Sequence, residues 1–259
     1  MFNFIIPVCN TNGDDFSYRV NNVNSIINSL PNNVKLILVE QDMGHKLFGP
    51  NLNLRSDDKH IIVKYKIFNK PWLQNIGVRE SDSQHVIIGE SDCIPDSTGN
   101  YFIELDKHIQ NRPWCHAWNR IQYHGEDYNI ITRDEIGPKK GLAEGGLVYF
   151  NKSFYNSIGG ANEWFLELGG MDNELIRRAE FKCINKPFKW IIHHHWHPSN
   201  IMKADKWANS LYRKDNQAKY RFISVNVGKV IDKLNRLEFG NKSYPLCHKM
   251  KWEDVINSR

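Results

Sequence analysis

Short apolar runs alternate with polar clusters along the first hundred residues. Between two pairs of these runs lie segments of helical character: Tyr18–Leu30, which has apolar residues at a helical spacing, and Pro71–Arg79. The runs themselves have the short length and abrupt polar ends of buried strands. The predicted strands are Phe2–Val8, Val34–Val39, Ile61–Phe68 and Val86–Ile88.

This order of strands and helices predicts the fold class. It is typical of an α/β domain with a Rossmann-like central sheet, mixed but mostly parallel and flanked by helices. Ligands of such sheets bind at the carboxyl ends of the strands. The polar residues that end the predicted strands after Pro7, Val39 and Ile88 are therefore expected to lie along one edge of the sheet.

Beyond residue 100 the pattern is less regular. We expect short strands and a loop around Thr132–Gly141, and the segment after Asp205 is basic and helical in character. The remaining predictions are helices at Tyr101–Gln110, Lys152–Ile158 and Asp172–Phe181, and strands at Leu147–Phe150 and Phe188–Ile192.

Composition restricts the class of protein. Five cysteines, odd in number and far apart, argue against a disulfide framework or a structural zinc site. No signal peptide and no membrane span are expected, so the cytosol, or the cytosolic face of a membrane, is the expected location. The net charge of +5 suits anionic ligands such as nucleotides, phospholipid head groups or nucleic acid, without choosing among them.

Two segments contain candidate metal ligands. Glu90-Ser91-Asp92 follows a buried strand, where two carboxylates can place oxygen ligands beside a phosphate-bound divalent cation, or can simply solvate the strand end. In an extended segment, His193, His195 and His197 would share one face, with His194 on the other. Imidazole binds Mn²⁺-class ions, although a histidine tract can also be a surface feature.

A third segment, Gly169–Glu174, offers a candidate catalytic group. It places Asp172 in the first turn of a predicted helix, beside a flexible pair of glycines. The alternative interpretation is a carboxylate that only stabilises the start of the helix.

Taken in order, these and two further segments resemble the GT-A glycosyltransferases, in particular the β-1,4-galactosyltransferase-like enzymes. Phe68–Gly77 resembles the F-N-[RK]-x-x-x-x-N-x-G motif of that family, and the sequence GESDCIPD resembles its D-x-D motif. Ala143–Phe154 is similar to the G-G-x-x-x-x-x-[KR]-x-x-F motif, and Gly169–Glu174 to the acceptor-side G-G-E-D-[DN] motif. This chain departs from the family in having Glu90 for the first acid of D-x-D and Met171 for the first acid of the E-D pair.

The resemblance implies a GT-A fold and a UDP-sugar donor held by Mn²⁺ or Mg²⁺. It implies a catalytic domain at residues 1–205, with a nucleotide-sugar half (1–100) and an acceptor half (101–205), followed by a basic helical extension at 206–259. Asp172 matches the catalytic base of the inverting enzymes, and the implied metal ligands are Asp92, His195 and His197. The implied donor-binding residues are Pro7, Arg19, Glu40, Asp42, Asn69, Lys70, Glu90, Gly145 and Gly146.

The acceptor and the stereochemistry stay open at this point. A glycan or lipid-linked glycan is the first choice of acceptor. A hydroxylated base in DNA is the second, because the features that would suit DNA, the basic C-terminal third and the aromatic residues Trp114, Trp118 and Tyr123, would suit a sugar as well. A retaining transferase, a non-catalytic module that binds a nucleotide-sugar or glycan, and a histidine-rich metallohydrolase are the other hypotheses.

Overall fold

The computed structural model describes residues 1–10, 16–95, 100–125, 130–136, 145–167, 169–195 and 211–257, with residues 130–136 described for their backbone alone. Ten strands and eight α-helices are found in these ranges. The strands are β1 (Phe2–Cys9), β2 (Val34–Asp42), β3 (Lys59–Lys64), β4 (His85–Gly89), β5 (Cys93–Pro95), β6 (Trp114–His116), β7 (Arg120–His124), β8 (Ile130–Ile136), β9 (Leu147–Asn151) and β10 (Ile191–His194). The helices are α1 (Phe16–Ser29), α2 (Lys70–Glu80), α3 (Tyr101–Ile109), α4 (Lys152–Ser157), α5 (Met171–Lys182), α6 (Leu211–Val225), α7 (Val227–Leu234) and α8 (Trp252–Asn257).

Six strands form the central sheet in the order β3-β2-β1-β4-β9-β6. The first four of these are parallel, and β9 runs antiparallel to both of its neighbours. The predicted α/β class with a mixed, mostly parallel sheet is therefore confirmed. Because β1, β2 and β4 are parallel, their carboxyl ends meet at one edge of the sheet.

A smaller sheet has the strand order β5-β10-β7-β8, and its strand β5 comes directly after β4 in the chain. Strand β5 begins three residues after Glu90 and pairs antiparallel with β10, with Cys93 opposite His194. This pairing brings the histidine segment to the end of the acid-x-acid segment, although about a hundred residues of sequence separate them.

Three predicted elements differ from the structure. Strand β3 ends at Lys64 rather than at Phe68. The Gln41 side chain donates hydrogen bonds to the carbonyls of Tyr65 and Ile67, so the chain leaves the sheet and forms a loop. The strand predicted at Phe188–Ile192 begins only at Ile191. Much of the predicted loop around Thr132–Gly141 is the strand β8, and residues 137–144 lie outside the described residues.

Each face of the central sheet has its own hydrophobic core. Residues of β1 alternate between the two, with Phe4 and Ile6 packing toward α1 and α3 and Ile5 packing toward α2 and α5. A third cluster joins the C-terminal helices to the rest of the chain, since Trp252 and Leu234 pack with Trp164. The helices after residue 210 therefore share a core with the segment that precedes α5. None of the described helices has the length and apolar character that a membrane crossing requires.

A buried ion pair fixes α5 against the body of the protein. Glu174 and Arg178 are both inaccessible to solvent, and both carboxylate oxygens of Glu174 accept hydrogen bonds of 2.7 Å from the guanidinium. Arg178 also donates to the carbonyl of Ile158. Because an unpaired buried charge is costly, each partner depends strongly on the other.

We therefore expect Arg178→Met to lower the free energy of unfolding by about 3–5 kcal/mol, because it leaves the Glu174 carboxylate buried without a cation. Arg177→Met is the matched control, since Arg177 is the exposed neighbour on the same helix and its loss should change stability by less than about 0.5 kcal/mol. Urea unfolding of the two variants measures both values. Similar losses for Arg177→Met and Arg178→Met would contradict the assignment.

Candidate functional site

Lys70 joins two carboxylates that lie far apart in the sequence. Its ammonium forms an ion pair with Glu90 and donates to both carboxylate oxygens of Asp172, at 3.0 and 3.1 Å. The Lys70 side chain is 8% exposed, whereas those of Glu90 and Asp172 are each 31% exposed. The cation is therefore covered by the protein, and the two carboxylates face an opening.

The local structure explains how these three groups come together. Lys70 is the first residue of α2, and Glu90 follows the last residue of β4. Asp172 is the second residue of α5, whose start follows two glycines with positive φ, 104° at Gly169 and 79° at Gly170. An ionised carboxylate in the first turn of a helix is also favoured by the helix dipole.

The backbone of Gly145 and Gly146 lies next to the two carboxylates. A Cβ atom at Gly145 would lie 3.1 Å from Glu90 Oε1 and 3.4 Å from Asp172 Oδ2. Gly146 has a φ of 83°, and its carbonyl accepts a hydrogen bond from the Glu90 amide at 3.0 Å. The indole of Trp118 donates to the Gly145 carbonyl at 3.2 Å. The lack of a side chain at Gly145 leaves open the space that both carboxylates face.

The ionisation of the site is strongly perturbed. Burial opposes a charge on Lys70, but the carboxylates of Asp172 and Glu90 outweigh it, so the pKa of the ammonium lies above its ordinary value. Burial raises the pKa of Glu90 to about 7, which Lys70 opposes and Asp172 reinforces. Glu90 is thus the carboxyl group of this site that titrates near neutral pH.

Asp92 lies next to the histidine segment. The His195 amide donates to the Asp92 carbonyl at 2.8 Å, and His194 Nε2 lies 3.8 Å from Asp92 Oδ2. The imidazoles of His193 and His195 each lie with ring centroids 5.1 Å from that of His124, so these two share a face opposite to His194, as the alternation predicts. Burial, together with the charges of three neighbouring histidines, lowers the pKa of His195 to about 4.

The groups around Asp92 suit a cation that takes some of its ligands from the protein and the others from a phosphate compound. Among the described residues no group of three or more His, Cys, Asp or Glu side chains is arranged to hold a metal ion, and His197 lies outside those residues. A carboxylate and an imidazole are nevertheless the usual protein ligands of a cation whose other ligands are substrate phosphates and water. The residues therefore fit a cation bound together with a phosphate compound better than one bound alone.

The predicted donor-binding residues at the ends of β1 and β2 lie at the same edge of the sheet. Pro7 on β1 is buried and pairs with Val39 on β2. Asp42 is partly exposed and accepts a hydrogen bond from the Gly44 amide at 2.8 Å. Arg19 on α1 is half-buried, and it acts electrostatically on the thiol of Cys9 at the end of β1.

Two of the predicted donor-binding residues have a supporting place instead. The Glu40 carboxylate is fully buried and accepts hydrogen bonds from the amides of Phe48 and Gly49 and contacts His60 at 2.8 Å, so it fixes a loop. The Asn69 side chain is also fully buried, where it caps α2 by accepting from the Trp72 amide. Polar residues after a strand need not face the ligand, because a later loop can cover them.

The sequence did not indicate the supporting roles of two residues, Gln41 and Glu163. Gln41 accepts a hydrogen bond from the Asn69 amide and so aligns the start of α2. Glu163 is fully buried, and its carboxylate accepts from Asn75, Gly240 and Leu246, which ties the C-terminal segment to α2. The only sequence signal for Glu163 is a carboxylate beside the apolar pair that follows it.

Met171, which stands where the resemblance has an acid, packs away from the opening. Its side chain is 6% exposed and belongs to the hydrophobic cluster of Trp164, Phe165 and the C-terminal helices. The substitution of this acid by methionine thus coincides with the packing of the C-terminal helices against the start of α5.

Comparison with solved structures identifies the fold. A crystal structure of GalNAc-T7 with UDP, GalNAc and Mn²⁺ matches 99% of this chain and 57% of its own length, with 13% sequence identity and a TM-score of 0.54. The chain has the GT-A fold. This confirms the fold that the ordered motifs imply, and at this identity the likeness concerns the fold alone.

Two other solved glycosyltransferases match less well. The catalytic domain of Drosophila β1,4-galactosyltransferase 7 in complex with xylobiose covers 77% of this chain at 14% identity and a TM-score of 0.42. S. aureus TarS, residues 1–349, covers 74% at 9% identity and a TM-score of 0.47. The chain spans 57–65% of the length of these three solved chains. No protein-family model matches the sequence, and no curated protein sequence does.

The charges around Lys70 predict opposite shifts in the pKa of Glu90. Lys70→Met removes a cation that lowers this pKa, so the pKa should rise above about 7, whereas Asp172→Asn removes an anion that raises it, so the pKa should fall. ¹³C NMR of the glutamate carboxyl carbons, recorded with EDTA and without nucleotide, measures both shifts. Shifts of the same sign in the two variants would contradict the arrangement.

The same shift sets a pH dependence of stability. The folded chain keeps a proton on Glu90 between the ordinary pKa of 4.5 and the folded value of about 7, whereas the unfolded chain loses it. Its contribution to the free energy of unfolding should therefore fall as the pH rises through that window and stay constant above it. The difference in stability between the protein and Glu90→Gln, measured in EDTA across the window, checks this sign.

Proposed function

We propose that the chain is a metal-dependent, inverting glycosyltransferase that transfers a sugar from a UDP-sugar to a hydroxyl group of a glycan. One observation carries the proposal. The carboxylates of Asp172 and Glu90 meet on Lys70 above the open space at Gly145, at the carboxyl edge of a GT-A sheet. The solved GalNAc-T7 structure with the same fold was determined with UDP, GalNAc and Mn²⁺, which supports a nucleotide-sugar donor for this site.

The donor would bind along the carboxyl edge of the sheet. In this proposal Pro7, Arg19 and Asp42 line the nucleotide end, whereas Glu40 and Asn69 support it from within the protein. In this proposal the residues nearest the transferred sugar are Lys70, Glu90, Gly145 and Gly146.

Asp92 and the histidine segment would hold the cation, Mn²⁺ or Mg²⁺. His194, whose Nε2 atom lies 3.8 Å from Asp92 Oδ2, is the proposed imidazole ligand nearest that carboxylate, and His195 and His197 are the other candidates that the sequence offers. When bound, the cation stabilises the negative charge of the departing diphosphate. The proposal draws support from the donor set, a carboxylate beside imidazoles, which suits a cation that arrives with phosphate oxygens.

Asp172 is the proposed base. One of its carboxylate oxygens takes the proton of the acceptor hydroxyl. At the same time the hydroxyl oxygen forms a bond to the anomeric carbon, and the bond from this carbon to the diphosphate oxygen breaks. The Lys70 ammonium donates to both carboxylate oxygens of Asp172, at 3.0 and 3.1 Å, and so holds the proposed base in place. No second acid is required at position 171 for this step.

The structure changes the basis on which an acceptor can be proposed. Trp114 and Trp118, which the sequence offers as stacking surfaces for a sugar or a base, are each only 1% exposed and pack in the core. Tyr123 is half-buried against His194. The argument from these two tryptophans is therefore lost, for a DNA acceptor and for a glycan alike. A glycan or lipid-linked glycan remains the proposed acceptor.

UDP binding should depend on both Mn²⁺ and Asp92. We expect UDP to bind more tightly by at least about tenfold when Mn²⁺ is present, because the cation joins the diphosphate to Asp92, and we expect Asp92→Ala to abolish this gain. Calorimetric titration of UDP, with GDP as the base-specificity control, measures both effects. Binding of UDP that is indifferent to Mn²⁺ and to Asp92→Ala would refute the proposed donor site.

Transfer should depend on Asp172 more than donor binding does. We expect Asp172→Asn to lower kcat by about 10²–10⁴-fold, because the general base is lost, while the affinity for UDP and Mn²⁺ is kept. Glu180→Gln, an exposed carboxylate on the same helix, is the matched control and should keep full activity. Full activity of Asp172→Asn would show that Asp172 is not the base.

Product analysis separates the remaining hypotheses on the reaction. With UDP-sugars offered to glycan and DNA acceptors, we expect a glycan product whose anomeric configuration is inverted relative to the donor, as displacement by a base-activated hydroxyl requires. NMR of the product reads the configuration. A retained configuration, or transfer to DNA alone, would overturn that part of the proposal, and a protein that binds UDP and Mn²⁺ without turnover would be a non-catalytic module.

A further inference from the structure

Three of the most exposed apolar side chains of the described residues belong to neighbouring parts of one surface. Phe181 near the end of α5 is 60% exposed, Ile184 just beyond that helix is 81% exposed, and Val225 at the end of α6 is 79% exposed. The other large apolar side chains exposed in the described ranges are Met1, Ile62 and Ile103. None of the three has a place in the proposed reaction.

Packing between helices brings these side chains together. The ring of Phe181 lies 3.4 Å from the position that a Cβ would take at Gly228, in the first turn of α7. Val225 ends α6 immediately before the turn at Asn226 that leads into α7. Phe181 and Val225 therefore flank one helix junction, and Ile184 extends the apolar surface along the chain after α5. We call this surface the α5–α7 face.

The charged residues of the α5–α7 face are mostly basic. Within residues 177–182 and 221–232, four exposed cations accompany two exposed carboxylates, an excess of two positive charges. On α5, Arg177 is one helical turn before Phe181, and on α6, Arg221 is one turn before Val225, so each of these apolar side chains shares a helix face with a cation. The exposed cations are Arg177, Lys182, Arg221 and Lys229, and the carboxylates are Glu180 and Asp232.

We propose that the α5–α7 face binds the surface of a membrane that contains anionic lipids. Apolar side chains that enter the boundary between head groups and acyl chains, surrounded by cations that pair with anionic head groups, are the features of a peripheral membrane site. Each of the two features alone would be weaker evidence. The inference concerns binding only and does not depend on the proposed transferase activity.

Two other occupants of this face are disfavoured by the same observations. Nucleic acid would satisfy the cations, but its phosphates would leave Phe181, Ile184 and Val225 exposed to water. A second copy of this chain would cover the apolar side chains, but two faces that each carry an excess of positive charge would then repel each other. An anionic lipid surface satisfies both the apolar and the basic groups.

Vesicle co-sedimentation tests the proposal directly. We expect the protein to sediment with vesicles of phosphatidylcholine and phosphatidylglycerol, but not with vesicles of phosphatidylcholine alone, and to be released by high salt. The double variant Phe181→Ser, Val225→Ser should bind the anionic vesicles about tenfold more weakly, because it removes the inserting side chains. Ile62→Ser, Ile103→Ser, which removes exposed apolar side chains elsewhere, is the matched control and should bind like the unchanged protein.

A second variant separates a loss of binding from a loss of folding. Lys182→Glu, Lys229→Glu changes two exposed side chains and should also abolish binding to the anionic vesicles, while its circular dichroism and urea unfolding stay unchanged. Equal binding of all variants, or no binding to any vesicle, would overturn the proposal. So would tight binding of duplex DNA that the apolar double variant retains, or a dimer in solution that this variant dissociates.

Discussion

The shared ion pair of Lys70 is the interaction on which the site depends. Glu90 and Asp172 come from different elements, and without a cation between them their charges would repel across the opening at Gly145. Lys70 can contact both because it is the first residue of α2, and although burial opposes the charge of its ammonium, the two carboxylates raise its pKa. The position of this helix start therefore fixes the geometry of the three charged groups.

A buried polar network sets the position of that helix start. Gln41 aligns the amide of Asn69, and the side chain of Asn69 donates to the carbonyl of Glu163 at 2.8 Å. The Glu163 carboxylate in turn holds the amides of Gly240 and Leu246. The segment after α7 is thus connected by hydrogen bonds to the residue before Lys70. This makes the C-terminal part of the chain a support of the site as well as a cover for the hydrophobic cluster beside α5.

Five of the six strands of the central sheet, and helices α1 to α5, could be predicted from the sequence because apolar runs and helical spacings record burial directly. The end of β3 could not, because the side chain of Gln41, from another strand, terminates it. The residues of the site were also named from the sequence, but not their contacts. Nothing in the order of residues says that Lys70 meets Asp172, or that the loop at Phe48 turns the Glu40 carboxylate inward. Such contacts arise from tertiary packing, which local patterns do not contain.

The charges of the site indicate why donor and cation would bind together. In the candidate site the carboxyl groups of Glu90, Asp92 and Asp172 outnumber the single cation Lys70, an arrangement that would attract a divalent cation and disfavour a diphosphate bound without one. Asp92 and the neighbouring imidazoles are too few to complete the coordination of that cation, so phosphate oxygens are its natural further ligands. Each ligand thus removes the obstacle to the other. This mutual dependence follows from the charges alone, and it would hold whichever sugar the donor carries.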